Sequence, residues 1–298
     1  MMTNVLPIEI PDRNIKMYLP LSLDAMDQRQ YVAFFELLFQ LENKEIDFYD
    51  FSIHCIYELL GLKKGKRKLE ADEVENALSN IAQLAEYISE YFDRQENTLS
   101  LKLEYTRNHI EFVELPFFKK YYGPVQHYHD VKFGEYEDGL NIFLQYNETP
   151  SRELLQQLMA TFYRRKKSSG RADYHQPDVK DQAQKFSQLS KGILYGFYYN
   201  FAAFHTYFSS SQVYYSGQII DLSILFTDPD GEKDTYTSPF PSLGIKSTGI
   251  EIAKTGVLGN LQEVRNTPLW EVALLLYDMR KKDHDHRAQT KQSQKTEK

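Results

Sequence analysis

Phe186, Leu189, Ile193, Phe197, Phe201, Phe204 and Phe208 recur every three or four positions within the stretch Gln182–Phe208. That spacing returns to one face of an α-helix. Tyr195, Tyr198, Tyr199 and Tyr207 fall beside the stripe, so aromatic rings project on several sides. A helix that is apolar around most of its circumference has to be surrounded by other elements. The segment therefore reads as the longest and most buried helix of the chain, with further helices packed about it.

The rest of the sequence supplies those helices. Tyr31, Phe34, Phe35, Leu38 and Leu41 predict one, capped by Asp24 or Asp27; Phe48, Phe51, Cys55, Leu59 and Leu62 predict a second after Asp47, ended by Gly61 or Gly65. Val74, Ala77, Leu78, Ile81, Leu84, Ala85, Ile88 and Phe92 make the clearest stripe, behind Asp72. Phe133–Tyr146 and Arg152–Tyr163 read as two more, Leu243–Val257 as a weak one. Leu269, Val272, Leu276 and Met279 line a last helix entered through Thr267 and Pro268. Between them the period changes to two: Leu99, Leu101, Leu103 and Tyr105 alternate with polar residues, Thr106–His109 turns, and Ile110 and Phe112 alternate again. This predicts an inserted β-hairpin near Leu99–Val113. Arg164–Pro177 reads as an exposed basic linker, Asp228–Gly244 as a long loop, and Asp283–Lys298 as a tail with almost nothing to bury. The predicted architecture is mainly α: one predominantly helical domain over 1–282, with a point of subdivision near 164–180, a small β-hairpin, and a disordered tail over 283–298.

Composition permits this and narrows function. A chain of 298 residues with 42% hydrophobic and 26% charged residues can bury a core. Its 22 Tyr and 19 Phe stand against one Trp. The net charge of −7 weighs against a phosphate-backbone partner. The basic runs Lys63, Lys64, Lys66, Arg67, Lys68 and Arg164, Arg165, Lys166, Lys167 follow helices, where the macrodipole and free carbonyls favour cations. If the two runs met in space, they would form a nucleic-acid patch. One cysteine, the absence of a cationic apolar leader and the absence of an 18-residue apolar run predict a cytoplasmic protein with no membrane partner.

Catalytic signatures are missing. Neither Gly-x-Ser-x-Gly nor His-Glu-x-x-His occurs, and Gly61–Lys66 lacks the spacing of a phosphate loop. His54 and Cys55 point about 100° apart on a helix. His127, His129 and Asp130 are the best metal-like group, and Asp283, His284, Asp285 and His286 a weaker one, but neither has a second cluster to complete it. The reading is a protein that is not an enzyme and has no cofactor, metal or catalytic residue. Trp270, Tyr195, Tyr198 and Tyr199 are its candidate partner-binding residues, since aromatics are enriched in protein contacts.

Several segments resemble a family of tail-gene-cluster proteins, tail assembly chaperone-like, of Bacteroidota phages and prophages. Leu19-Pro20-Leu21-Ser22-Leu23 precedes a helix beginning near Gln28. Tyr105-Thr106-Arg107-Asn108 leads to Tyr122-Gly123-Pro124 and then Phe133-Gly134-Glu135-Tyr136. Leu158-Met159-Ala160-Thr161-Phe162-Tyr163-Arg164 precedes a basic segment, and Arg265-Asn266-Thr267-Pro268-Leu269 opens a last helix. The resemblance implies a non-enzymatic protein that assembles or builds a phage tail, in the bacterial host cytoplasm or in the virion. Its partner would be another tail protein or a second copy of itself. Alternatives of a different class are a nucleic-acid-binding protein using the two basic runs, and a metal-dependent enzyme whose residues converge only in the fold.

Overall fold

The computed structural model describes residues 4–10, 15–62, 70–95, 98–167, 170–215, 217–226 and 244–296. The chain is mainly helical, with two-stranded hairpins between the helices. An entry hairpin, β1 (Val5–Ile10) and β2 (Ile15–Pro20), leads to α1 (Gln28–Glu42) and α2 (Phe48–Leu60). Asp27 closes α1 with a reciprocal capping box to Gln30, Asp47 accepts from Asp50 N, and Gly61 ends α2 at φ 65°. Then come α3 (Ala71–Ala85), a 3-10 turn over Glu86–Tyr91, and the hairpin of β3 (Phe92–Gln95) and β4 (Thr98–Leu101). A second hairpin pairs β5 (Phe112–Leu115) with β6 (Lys119–Tyr122).

The second half begins with α4 (Phe133–Glu148) and α5 (Arg152–Phe162), joined through Ser151, whose hydroxyl accepts from Leu154 N at 3.2 Å. A short ribbon of β7 (Lys166–Lys167) and β8 (Gly170–Arg171) precedes α6 (Val179–Lys185) and α7 (Lys191–Ser210). The hairpin of β9 (Gln212–Tyr215) and β10 (Gln218–Asp221) follows, then α8 (Ile245–Thr255), α9 (Leu261–Asn266) and α10 (Leu269–Thr296).

As the aromatic stripe requires, α7 is central: it packs against α1 and α5, and Phe197, Phe201 and Phe204 are fully buried. It is not continuous with the segment before it. Ser190 adopts an extended conformation and caps Ile193 N, so Phe186 belongs to a separate turn after α6. It is also shorter than α10, whose helix runs to Thr296. Good helix formers and the Lys282–Asp278 pair at 2.6 Å support that extension, and residues 281–287 are all exposed.

Two further expectations need correction. Leu99 pairs with Arg94 and Phe112 with Tyr122, so the expected hairpin near Leu99–Val113 is two hairpins with different partners. The intervening chain cannot turn outward because Tyr105, Asn108, His109 and Ile110 are buried in the core. Asn108 ties this stretch down by accepting from Ile110 N and donating to the Pro124 carbonyl. Arg164–Pro177 is exposed over most of its described residues, as expected, but it is not a free linker, since Arg164 and the Arg171 side chain are buried. The stripe of α3 packs only toward its end: Val74, Ala77 and Leu78 are exposed, Ile81 and Leu84 half-buried, and Ala85 and Ile88 buried. The expected loop Asp228–Gly244, save its last residue, lies outside the described residues, as does the basic run Lys63–Lys68.

Glycine sets the α1–α7 separation. A Cβ on Gly192 would stand 2.3 Å from the Val32 carbonyl oxygen, and one on Gly196 2.9 Å from the Tyr31 ring. The Gly196 carbonyl accepts from the Tyr31 hydroxyl at 2.8 Å. Helix propensity alone favours Ala over Gly by about 1 kcal/mol. The close approach reverses the sign: Gly192→Ala should lower stability by about 1–3 kcal/mol, as overpacking does. Urea denaturation of the two proteins checks this, and a stabilised variant would contradict the packing described.

Candidate functional site

The start of α4 is the most heavily charged part of the interior. Glu135 is fully buried and Glu137 nearly so. Glu135 Oε2 accepts from Lys132 N at 2.8 Å, capping the helix, while Oε1 faces Arg164 Nη2 and, at 3.5 Å, Arg171 Nη1. Arg171 also binds Asp130 at 2.6 Å. One turn on, Arg265 spans Glu137 and Asp138, each at 2.6 Å, and Asp138 accepts from the Tyr174 hydroxyl. Burial raises the Glu137 pKa against the pull of Arg265. Tyr136 bonds His205 Nδ1 at 2.7 Å; burial lowers the pKa of that histidine and favours its neutral form.

Segments far apart in sequence converge here. Tyr163 bonds Asn108 and the Ile110 carbonyl; Gly123 lies against both Asn108 and Tyr163; and Phe133 N donates to the Thr267 carbonyl. Tyr105–Asn108, Tyr122–Pro124, Phe133–Tyr136, Leu158–Arg164 and Arg265–Leu269, scattered through the chain, therefore build one junction. Its buried charges are paired, Glu135 with Arg164 and Arg171 and Glu137 with Arg265, in the manner of a structural clamp.

The residues nominated as partner-binding are engaged within the chain. Tyr195 is buried and, with Tyr199, donates its hydroxyl to Glu42 at the end of α1; Tyr198 donates to Asn147. Burial pushes all three phenols up, Tyr198 to about 12. Trp270 is half-buried, its Nε1 donates to the His127 carbonyl at 2.9 Å, and its ring meets Phe208 edge-on. His127 and His129 lie 5.7 Å apart, but Arg171 holds Asp130, and no group of three metal-ligating side chains assembles among the described residues. Cys55 is buried, with its thiol pKa raised by burial, while His54 is exposed. No described helix is long and apolar enough to cross a membrane.

A cavity of about 900 Å³ lies between β2, the turn after it and the chain entering β5. Asp24, Asp27, Glu90 and Glu104 line it against Lys102 and Arg107. Two of its lining phenols are occupied: Tyr105 bonds Tyr31 at 2.7 Å and Tyr91 donates to the Pro20 carbonyl. His109 stacks on Tyr31 with ring centroids 4.3 Å apart.

What the sequence reading missed is on the surface. The β5–β6 hairpin turns through Pro116, Phe117 and Phe118, with Phe117 87% and Phe118 89% exposed. Their φ angles are 64° and 56°, the left-handed region that bulky residues rarely adopt. Lys119 follows, Lys120 lies over Phe112, and β7 places Arg165 by Tyr121 and Lys166 by Tyr122. The Arg164–Lys167 run thus divides into one buried clamp residue and an exposed basic flank beside the hairpin. The available signal was the dipeptide Phe117-Phe118 between Pro116 and Lys119, an apolar pair set in turn-like surroundings.

The buried charges generate two predictions. Glu135→Gln leaves the buried Arg164 guanidinium without its counter-charge, while Arg171 keeps Asp130, and should cost about 3–5 kcal/mol, read by chemical denaturation. His109 has its pKa lowered from 6.5 to about 4, first by burial and then by Arg107. The unfolded chain therefore binds this proton more readily, and stability falls as pH drops from about 6.5 toward 4, by about 3 kcal/mol over the window. His109→Phe keeps the ring stack and should flatten that part of the pH profile; an unchanged profile would remove His109 as its cause.

Compared with protein-family models, curated proteins and solved structures, the chain matches none.

Proposed function

We propose that this chain is a non-enzymatic assembly or structural protein of a phage-type tail that acts by binding another tail protein. The exposed Phe117–Phe118 pair carries the reading. Two bulky residues in left-handed conformation each cost on the order of 1–2 kcal/mol, and neither ring is buried to offset it. An Asn-Gly turn would relieve that cost, so the pair has a use beyond folding. Large apolar groups held on a rigid body and framed by lysines suit insertion into another protein. The family resemblance supports the same reading, because most of its segments form the clamp that holds the body rigid.

A second reading has one observation in its favour. Lys119, Lys120, Arg165 and Lys166 gather beside aromatic rings on one small sheet surface, a combination that serves single-stranded nucleic acid. Co-expression with the products of neighbouring genes separates the two. Under the assembly reading the tagged chain retains one of those products, and Phe117→Ser with Phe118→Ser reduces recovery about tenfold or more without changing thermal stability. Tight, salt-sensitive oligonucleotide binding with no retained protein would favour the second reading. Presence in purified particles would mark a structural component, and absence with retained binding a chaperone of the host cytoplasm.

A further inference from the structure

Among the described residues there is a second exposed apolar surface. On α3, Val74, Ala77, Leu78 and Ile81 follow the i, i+3, i+4, i+7 spacing of a docking face. Val74 is 40% and Leu78 58% exposed, and only the end of the helix packs on the body, against α2 and the turn Glu86–Tyr91. Its frame is acidic. Asp72, Glu75, Glu86 and Glu90 supply the charge, and residues 71–91 contain no lysine or arginine.

The β5–β6 tip has the converse make-up. Phe117 and Phe118 stand at its apex, Lys119 and Lys120 follow, and Arg165 and Lys166 flank the strand behind; Glu114 sits 3.8 Å from Lys120. The same molecule therefore displays an apolar knob with a basic collar and an apolar stripe with an acidic rim. Complementary charge around two apolar surfaces aligns a contact and penalises mismatched pairings, since like charges would meet.

We propose that the Phe117–Phe118 tip of one copy docks on the α3 stripe of a second copy. Phe117 and Phe118 cover Leu78 and Val74, while Lys119 and Lys120 approach Asp72 and Glu75. The two patches differ, so the contact is head-to-tail. Each added copy leaves one free tip and one free stripe, and association continues until a ring closes or a filament extends. This rests on the assembly reading and adds that one partner is the chain itself.

Sedimentation velocity on the full chain, over a range of concentrations at low and high salt, tests the contact. Its two faces are disabled separately by a tip variant, Phe117→Ser with Phe118→Ser, and a stripe variant, Val74→Ser with Leu78→Ser. All four residues are exposed, and melting curves verify that each variant folds. The wild-type chain should grow past a dimer with concentration, and less so at high salt. Each variant alone should be monomeric, with association weakened at least about tenfold. An equimolar mixture of the two should stop at a one-to-one dimer, because each supplies the face the other lacks. Lys119→Glu with Lys120→Glu should lose association and regain it with Asp72→Lys and Glu75→Lys, which acts on these pairs irrespective of the Lys63–Lys68 run outside the described residues. A wild-type chain that stays monomeric overturns the proposal. So does a variant mixture that stays monomeric, or a tip that binds anionic vesicles or oligo-dT while the chain does not self-associate. A monomer that still captures a co-expressed tail protein through its tip sinks this contact and leaves the assembly reading standing.

Discussion

Two carboxylates taken out of water at the start of α4 set the terms for much of this fold. A buried charge is tolerated only when paired and hydrogen-bonded. Glu135 therefore draws Arg164 from the end of α5 and Arg171 from the β8 ribbon, while Glu137 and Asp138 draw Arg265 from the end of α9. Each arginine also donates to backbone carbonyls, Arg164 to Thr161 and Ala172, Arg171 to Phe162 and Asp130, and Arg265 to Gly134. The ribbon and the helices before and after it are thereby held at one end of α4. Such pairs contribute little net stability against a well-packed apolar substitute, but an arrangement that separates them leaves an uncompensated charge. Their effect is to penalise every other way of docking these segments.

The aromatic content acts on the same principle at lower cost. Tyr31, Tyr128 and Tyr163 are fully buried, and each hydroxyl has a partner: Tyr31 with Tyr105 and Gly196, Tyr128 with Asn200, Tyr163 with Asn108 and Ile110. The phenols bring large apolar rings to the core and a polar tip that bonds irregular backbone. This matters in a chain whose helices are separated by short hairpins and coil. Asn200, which interrupts the apolar run of α7, accepts from Tyr128 and donates to the Arg107 carbonyl. Its polarity serves the packing of the coil between β4 and β5.

Phenylalanine is used differently at the surface. A phenol at Phe117 or Phe118 would keep a hydrogen bond to water; a phenyl ring has only apolar surface to offer. The hairpin fixes both rings outward, with cations immediately behind them. A rigid interior and a preformed tip would limit the ordering cost of the proposed association.

Local order in this protein is written into single segments. The period of three and four residues, Asp27, Asp47 and Ser151 as caps, and Gly61 as a stop each act within one or two helical turns, so α1, α2, α4, α5 and the core of α7 are legible from residues alone. The central position of α7 follows too, because aromatics on several sides leave no face for water. The pairing of Leu99 with Arg94 instead of the chain beyond Tyr105 was decided by inward anchoring of Asn108 and His109, which alternation does not encode. The α3 stripe was legible, but whether anything covers it depends on what the rest of the chain places there. The same holds for charge: Arg164 and Arg165 are adjacent and alike in sequence, yet one is locked against Glu135 and the other stands beside the hairpin. Helical periodicity is a local property that the residues determine by themselves; burial, pairing and exposure are relations between distant segments, and only the packed tertiary structure assigns them.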